Sequence, residues 1–217
     1  MKDATPQTIY LKDYQVPEYL IEKTELVFEL NEDNCKVSST LHIRRNPDSH
    51  SKQSDLFLHG GSELDLQQIA LDGVLLTAEG YKRTEEGLVI KQVADAAVVE
   101  IDLLIKPHLN TTMMGLYKSR TLYCTQCEAE GFRNITFYLD RPDVMSEFTT
   151  KIIADKTLFP VLLSNGNAVE QGDLENGRHF ATWHDPFKKP AYLFALVAGD
   201  LSVVESSFTT CSNRVLL

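Results

Sequence analysis

Two-residue alternation dominates the chain. Thr24, Leu26, Phe28 and Leu30 alternate with Glu25, Val27 and Glu29. Val37, Ser39, Leu41 and Ile43 alternate with Lys36, Ser38, Thr40 and His42. Successive side chains of a strand point to opposite faces, so each run turns one face toward a core. Between them lies Asn31-Glu32-Asp33-Asn34, a run of turn-formers, and the three pieces together predict a hairpin. Asp72-Gly73 between residues 64–71 and 74–76 predicts a second one, because this dipeptide accepts the positive φ of a two-residue hairpin turn. Further strands are predicted at 88–90, 98–105, 122–129, 135–139, 148–154, 161–164, 179–184, 192–198 and 203–208, with turns at Asn165-Gly166 and Asn176-Gly177. Helical periodicity is scarce. One short helix is predicted near Arg141-Pro142-Asp143, with the proline in a first turn and the acid favourable to the dipole. The reading is all-β: a multi-sheet β-sandwich with at most one or two short helices. No repeat, low-complexity segment or linker divides residues 1–217, so they read as one domain with a flexible lead-in over 1–12. The end, Arg214-Val215-Leu216-Leu217, is apolar and strand-like, which suggests a cut through a longer polypeptide.

Composition narrows the function classes. A chain of 217 residues with 43% hydrophobic content can bury enough surface to fold without metal or disulfide. Its formal net charge is −10, which argues against a nucleic-acid partner, since phosphate backbones demand a basic footprint. No run approaches the ~18 apolar residues of a spanning helix, and the start, Met1-Lys2-Asp3-Ala4, has no apolar signal region. Cys35, Cys124, Cys127 and Cys211 are too sparse for a disulfide framework. The expectation is a cytoplasmic protein without membrane or nucleic-acid partners.

Candidate chemistry concentrates between Cys124 and Asp143. Cys124-x-x-Cys127 invites a redox or zinc reading, but both cysteines fall inside a strand pattern rather than at a helix start, where a thiol pKa would be lowered. A structural zinc would need a second ligand pair, and Cys35 and Cys211 stand alone. The six histidines form no H-E-x-x-H, and no G-x-S-x-G, P-loop or dinucleotide fingerprint occurs. Gln126 and Glu128 remain. In a strand they would share one face. An arbitrary Gln-x-Glu is usually ordinary surface polarity, yet such a carboxylate can pair with an ammonium group while the amide adds a hydrogen bond. A free peptide N-terminus, with a pKa of about 7.7–8.0, is a cation of that kind. Glu130 shares the alternation, but Gly131 is expected to break the strand beside it.

These residues carry a resemblance. The run Leu122-Tyr123-Cys124-Thr125-Gln126-Cys127-Glu128-Ala129-Glu130-Gly131-Phe132-Arg133, continuing through Tyr138-Leu139-Asp140-Arg141-Pro142-Asp143-Val144, is similar to the bacterial aminopeptidase N family. Residues 148–156, 163–167 and 185–200 resemble it too, and residues 13–30 more loosely. The resemblance implies the saddle-like N-terminal domain of a zinc aminopeptidase that removes single N-terminal residues from peptides. In that family a T-Q-x-E segment faces the catalytic domain and lines the first substrate subsite. It maps to Gln126 and Glu128, with Glu128 binding the substrate's α-amine. A D-E-P-like turn of the family maps to Asp140-Arg141-Pro142, where Arg141 replaces the acid. The family's G-A-M-E-N and H-E-x-x-H motifs are absent. The implied zinc therefore belongs to a full-length parent, with none bound by this chain and no catalytic residue or metal ligand within it. The implied partners are peptide substrates, met through their free N-terminus, and the missing catalytic domain. Alone, the chain is expected to be inactive.

Two other readings stay open on the sequence. One is a stand-alone β-sandwich binding module for carbohydrate or protein, using Tyr117, Tyr123 and Trp183 as an aromatic platform. The other is a thiol redox protein cycling Cys124 and Cys127.

Overall fold

The computed structural model describes residues 8, 10–51 and 54–216. Most of the expected lead-in thus lies outside the described residues, while Leu11–Asp13 forms a single 3-10 turn. The strands in chain order are β1 (Tyr19–Leu30), β2 (Cys35–Arg45), β3 (Leu56–His59), β4 (Asp65–Leu71), β5 (Val74–Leu75), β6 (Tyr81–Arg83), β7 (Gly87–Ile90) and β8 (Ala96–Ile105). They continue as β9 (Gly115–Ser119), β10 (Leu122–Gln126), β11 (Met145–Asp155), β12 (Val161–Ser164), β13 (Asn167–Asp173), β14 (Arg178–Pro190), β15 (Leu196–Gly199), β16 (Phe208–Thr209) and β17 (Val215–Leu216). The all-β reading holds: among the described residues there is no α-helix, only four three-residue 3-10 turns.

An eight-stranded sheet, ordered β13-β14-β11-β1-β2-β8-β4-β5, forms the backbone of the fold. Its pairings are antiparallel except β1 with β11, which run parallel. The predicted hairpin appears as β1–β2, closed by Asn31 N–H donating to the Asn34 carbonyl at 2.9 Å. Asp72 and Gly73 both have positive φ, 50° and 76°, as a two-residue hairpin turn needs. In β2 the predicted inward set Val37, Ser39, Leu41 and Ile43 is buried. A bulge between Ile21 and Lys23 reverses the alternation in β1. Tyr19 and Ile21 face the core before it, and Thr24, Leu26, Phe28 and Leu30 after it.

A four-stranded sheet (β12-β15-β10-β9) and a three-stranded sheet (β3-β7-β6) complete the main architecture, with β16–β17 as a small separate ribbon. The four-stranded sheet packs over the long one through specific contacts. Tyr123 donates from its hydroxyl to the Asn31 carbonyl at 2.6 Å, and Trp183 from its indole N–H to the Leu162 carbonyl at 3.1 Å. Phe194 stacks on Phe28 at 5.9 Å between ring centroids.

Four local expectations fail, each for a tertiary reason. Residues 135–139 are not a strand. Every residue from 135 to 140 is buried, so the segment is a thread through the core rather than a half-exposed sheet member, its one β-bridge among the described residues being His59–Tyr138. No helix starts at Arg141, because the chain makes only a turn at residues 142–143 before Met145 enters β11 and pairs with β14. Residues 192–198 open as a 3-10 turn, Ala191–Leu193, whose bend sends Phe194 into the aromatic core; pairing resumes only at Leu196. Of 203–208 only Phe208 is in a strand, and residues 202–209 are all exposed: alternation without a neighbouring strand makes no sheet.

Candidate functional site

The segment bearing Gln126 and Glu128 begins as β10 between β9 and β15. Thr125 fastens it there: its hydroxyl accepts from Leu196 N–H at 2.8 Å. Tyr123 points inward and is fully buried. Pairing ends at Gln126, opposite Gly115. The strand is therefore shorter than the predicted 122–129, and Gln126 and Glu128 are not related by strand alternation. Cys127 turns into the core, 3% exposed, and its carbonyl accepts from Gly131 N–H at 2.8 Å. The chain thus makes a tight turn over Cys127–Gly131 that leaves Glu128, Ala129 and Glu130 exposed. The Glu128–Ala129 peptide within it is cis.

The turn is anchored at both ends. Phe132, fully buried in the 3-10 turn Phe132–Asn134, meets Tyr138 at 4.8 Å, Phe194 at 5.2 Å and Phe148 at 6.0 Å between centroids. Edge-on aromatic pairs of this kind contribute roughly 0.5–1.5 kcal/mol each beyond their burial. Gly131 is required by close approach: a Cβ there would strike the Gln126 carbonyl oxygen and lie 2.8 Å from the Cys127 Cα. From the other side, Gly61 N–H donates to the Arg133 carbonyl at 2.9 Å and His59 N–H to the Tyr138 carbonyl at 2.8 Å.

On this frame the Gln126 amide donates to the Glu128 carbonyl at 3.4 Å, so the two residues do come together, though across a turn. The Glu128 carboxylate is exposed and makes no hydrogen bond or ion pair among the described residues. Glu130 differs: its carboxylate lies 3.2 Å from the Arg133 guanidinium. Arg133 in turn grips Asp140, whose side chain is 2% exposed. Sequence reasoning missed Arg133 and Asp140, because nothing in their spacing marks a contact when the chain between them has no regular structure.

The remaining candidates separate cleanly. All four cysteines are free. Burial pushes the Cys127 thiol up to about 12 and moves Cys35 and Cys124 upward as well, the opposite of what a reactive thiolate needs. His179 is bound at the Phe159 carbonyl and His184 at Thr149. Among the described residues no group of three or more His, Cys, Asp or Glu could hold a metal ion, so these residues do not fit a zinc site. No helix is long and apolar enough to cross a membrane. The aromatic platform does not form: Tyr123 is fully buried, Trp183 is committed to Leu162, and Tyr117 is only partly exposed. Arg141, left without a role by the sequence, clamps Asp143 at 2.6 Å and the Gln15 carbonyl at 2.8 Å, and Tyr14 donates to the same carboxylate at 2.8 Å. It ties residues 14–15 to the turn after the buried thread.

Comparison with known proteins places this arrangement. The family model described as the Peptidase M1 N-terminal domain matches residues 16–193. The chain is 49% identical over 214 residues to aminopeptidase N of Caulobacter vibrioides, covering 99% of this chain and 24% of that protein. It is 47% identical over 209 residues to aminopeptidase N of Escherichia coli, covering 96% and 23%. Among solved structures, Legionella pneumophila aminopeptidase A in complex with aspartic acid superposes with a TM-score of 0.91 at 33% identity, over 95% of this chain and 24% of that one. An M1 zinc metallopeptidase from Deinococcus radiodurans shares the fold, with a TM-score of 0.74 at 14% identity over 92% of this chain and 46% of that one. The chain spans about a quarter of the length of the curated relatives it matches.

Proposed function

Starting from the fact that the chain belongs to the Peptidase M1 N-terminal domain family, we propose that residues 1–217 are one domain of a zinc aminopeptidase acting on peptides from their free N-terminus. In this reading the domain supplies one wall of the first substrate subsite. The observation that carries it is the exposed Glu128 carboxylate, without a hydrogen bond or ion pair among the described residues, on a turn that is anchored on both sides. A carboxylate left free in an otherwise well-paired segment is available to an external cation, and the α-ammonium of a peptide is such a cation. Gln126, bonded to the Glu128 carbonyl, sets the height of the turn and offers its own amide to the ligand.

Glu128 does no bond-breaking chemistry in this scheme. By holding the ammonium it fixes the register of the peptide, so that cleavage releases one residue. The metal and the general base would be supplied by polypeptide outside these residues, since the described residues hold no cluster able to bind zinc. The aspartic acid bound in the Legionella relative is consistent with a ligand carrying a free α-amine. A reducing, cytoplasmic setting belongs to the same proposal and is supported by four cysteines with no disulfide.

The test is Glu128→Gln in the full-length protein, assayed on aminoacyl p-nitroanilides. Losing a charge-assisted bond of about 1.5–3 kcal/mol raises KM by about 10- to 150-fold. The melting temperature should not move, because Glu128 contacts nothing that holds the fold. An unchanged KM across several substrates would end the amine-anchor reading.

A further inference from the structure

Next to the exposed turn lies an ion pair, Arg133 with the buried Asp140, that amine binding does not itself require. The Asp140 carboxylate accepts from both the backbone N–H of Arg133 at 3.1 Å and its Nε at 3.0 Å. Arg133 Nη2 donates back to the Asp140 carbonyl at 3.0 Å. Two of these three bonds come from the guanidinium and fix its orientation, and a carboxylate 2% exposed has no water to substitute for them. The oriented guanidinium then reaches forward. Its Nη2 also lies 3.2 Å from the Glu130 carboxylate, at the far side of the exposed turn.

The turn presents two exposed carboxylates two residues apart, and they are not equivalent. Arg133 engages Glu130, and Glu128 stays free. The guanidinium can do this only while Asp140 holds it, because Asp140 meets both its Nε and its backbone N–H. Lysine could supply the charge at this position but not the fork that spans Asp140 and Glu130 together.

We propose that Arg133 and Asp140 are positioning residues for substrate capture: the pair fixes the Cys127–Gly131 turn and occupies Glu130, so that of the turn's two carboxylates Glu128 is the one left to meet the substrate's amine. The inference rests on the reading of Glu128 as amine anchor. It concerns residues that touch neither substrate nor metal and act only through Glu128.

A double-mutant cycle in the full-length protein tests it, with kcat and KM measured on an aminoacyl p-nitroanilide for Asp140→Asn, Glu128→Gln and the double variant. Asp140→Asn is expected to raise KM about tenfold or more, with kcat within about twofold, since a misplaced anchor costs capture first. In the Glu128→Gln background the same change should add less than about twofold, because the group it positions is gone. Arg133→Lys, which keeps the charge but loses the fork, should raise KM about as much as Arg133→Gln and add less than about twofold in the Glu128→Gln background, and this cycle decides the matter if Asp140→Asn does not fold. Equal effects of Asp140→Asn with and without Glu128, or a loss confined to kcat and thermal stability, would show that the pair only holds the fold together. That outcome leaves the amine-anchor reading standing. If Glu128→Gln itself leaves KM unchanged, both readings fall.

Discussion

Thr24→Val probes how the site turn is tied to the large sheet. Thr24 lies on β1, fully buried, and its hydroxyl meets Tyr138 OH at 2.9 Å and Ser146 Oγ at 2.8 Å. It thereby joins a central strand to the buried thread under Phe132 and to the start of β11. The three hydroxyls are not equivalent. Tyr138→Phe removes one bond and leaves Thr24 its bond to Ser146, so the cost is about 1 kcal/mol. Ser146→Ala likewise removes one bond to Thr24. Thr24→Val keeps the side-chain shape but deletes both bonds at once. Ser146 can still donate to the Glu147 carbonyl at 3.1 Å, while the Tyr138 hydroxyl, with no exposed surface, loses its Thr24 partner. Two lost hydrogen bonds at about 1 kcal/mol each make Thr24→Val cost about 2 kcal/mol, more than either neighbour's change, while Ser146 remains beside the Tyr138 hydroxyl as a second partner. Urea unfolding of the four variants measures this, the fourth being Thr24→Val with Tyr138→Phe. The double variant should be less destabilised than the sum by about 1 kcal/mol, because both changes break the same bond. A Thr24→Val cost no larger than that of Tyr138→Phe, or strict additivity, would refute the hub.

Three further variants have definite expected outcomes. Gly131→Ala forces a Cβ against the Gln126 carbonyl and the Cys127 Cα, both backbone, so the turn must shift; full-length protein carrying it should lose about 1–3 kcal/mol of stability and raise KM. Gly177→Ala, at a φ of 71° with nothing within 4 Å, should cost stability and leave KM alone; equal effects on KM would remove the special place of Gly131. Asp143→Asn tests the clamp on residues 14–15. Arg141 holds the Asp143 carboxyl below the usual carboxylate range, against the opposing effect of burial and with help from the Tyr14 hydroxyl. A depressed folded pKa stabilises the protein above the unfolded value of about 3.9 and loses that contribution as pH falls through the folded pKa. The stability gap between parent and variant should therefore be level from about pH 7 to 5 and close below about pH 4. A gap that persists unchanged at about pH 2.5 would show that the carboxylate charge is not what holds the clamp.

The sequence by itself determined the fold class and the β1–β2 hairpin. These follow from local rules: side chains of a strand alternate, and Asn, Asp and Gly accept the backbone angles of turns. Gln126 and Glu128 could be singled out only through the family resemblance of their segment, since a Gln-x-Glu by itself is ordinary polar surface. Their geometry could not. The alternation that would have put them on one strand face stops at Gln126, since β9 offers no partner past Gly115 and Gly131 folds back onto the Cys127 carbonyl. Residues 135–139 read as a strand because a thread buried on every side and a strand buried on both faces have the same apolar composition; only their neighbours distinguish them. Arg133, Asp140 and Gly61 meet behind the site through contacts between segments that share no period. Tertiary structure alone decided that one of the turn's two exposed carboxylates would be engaged and the other left free. That choice depends on where a guanidinium is held, and holding it takes a carboxylate from a thread of chain whose position no local pattern encodes.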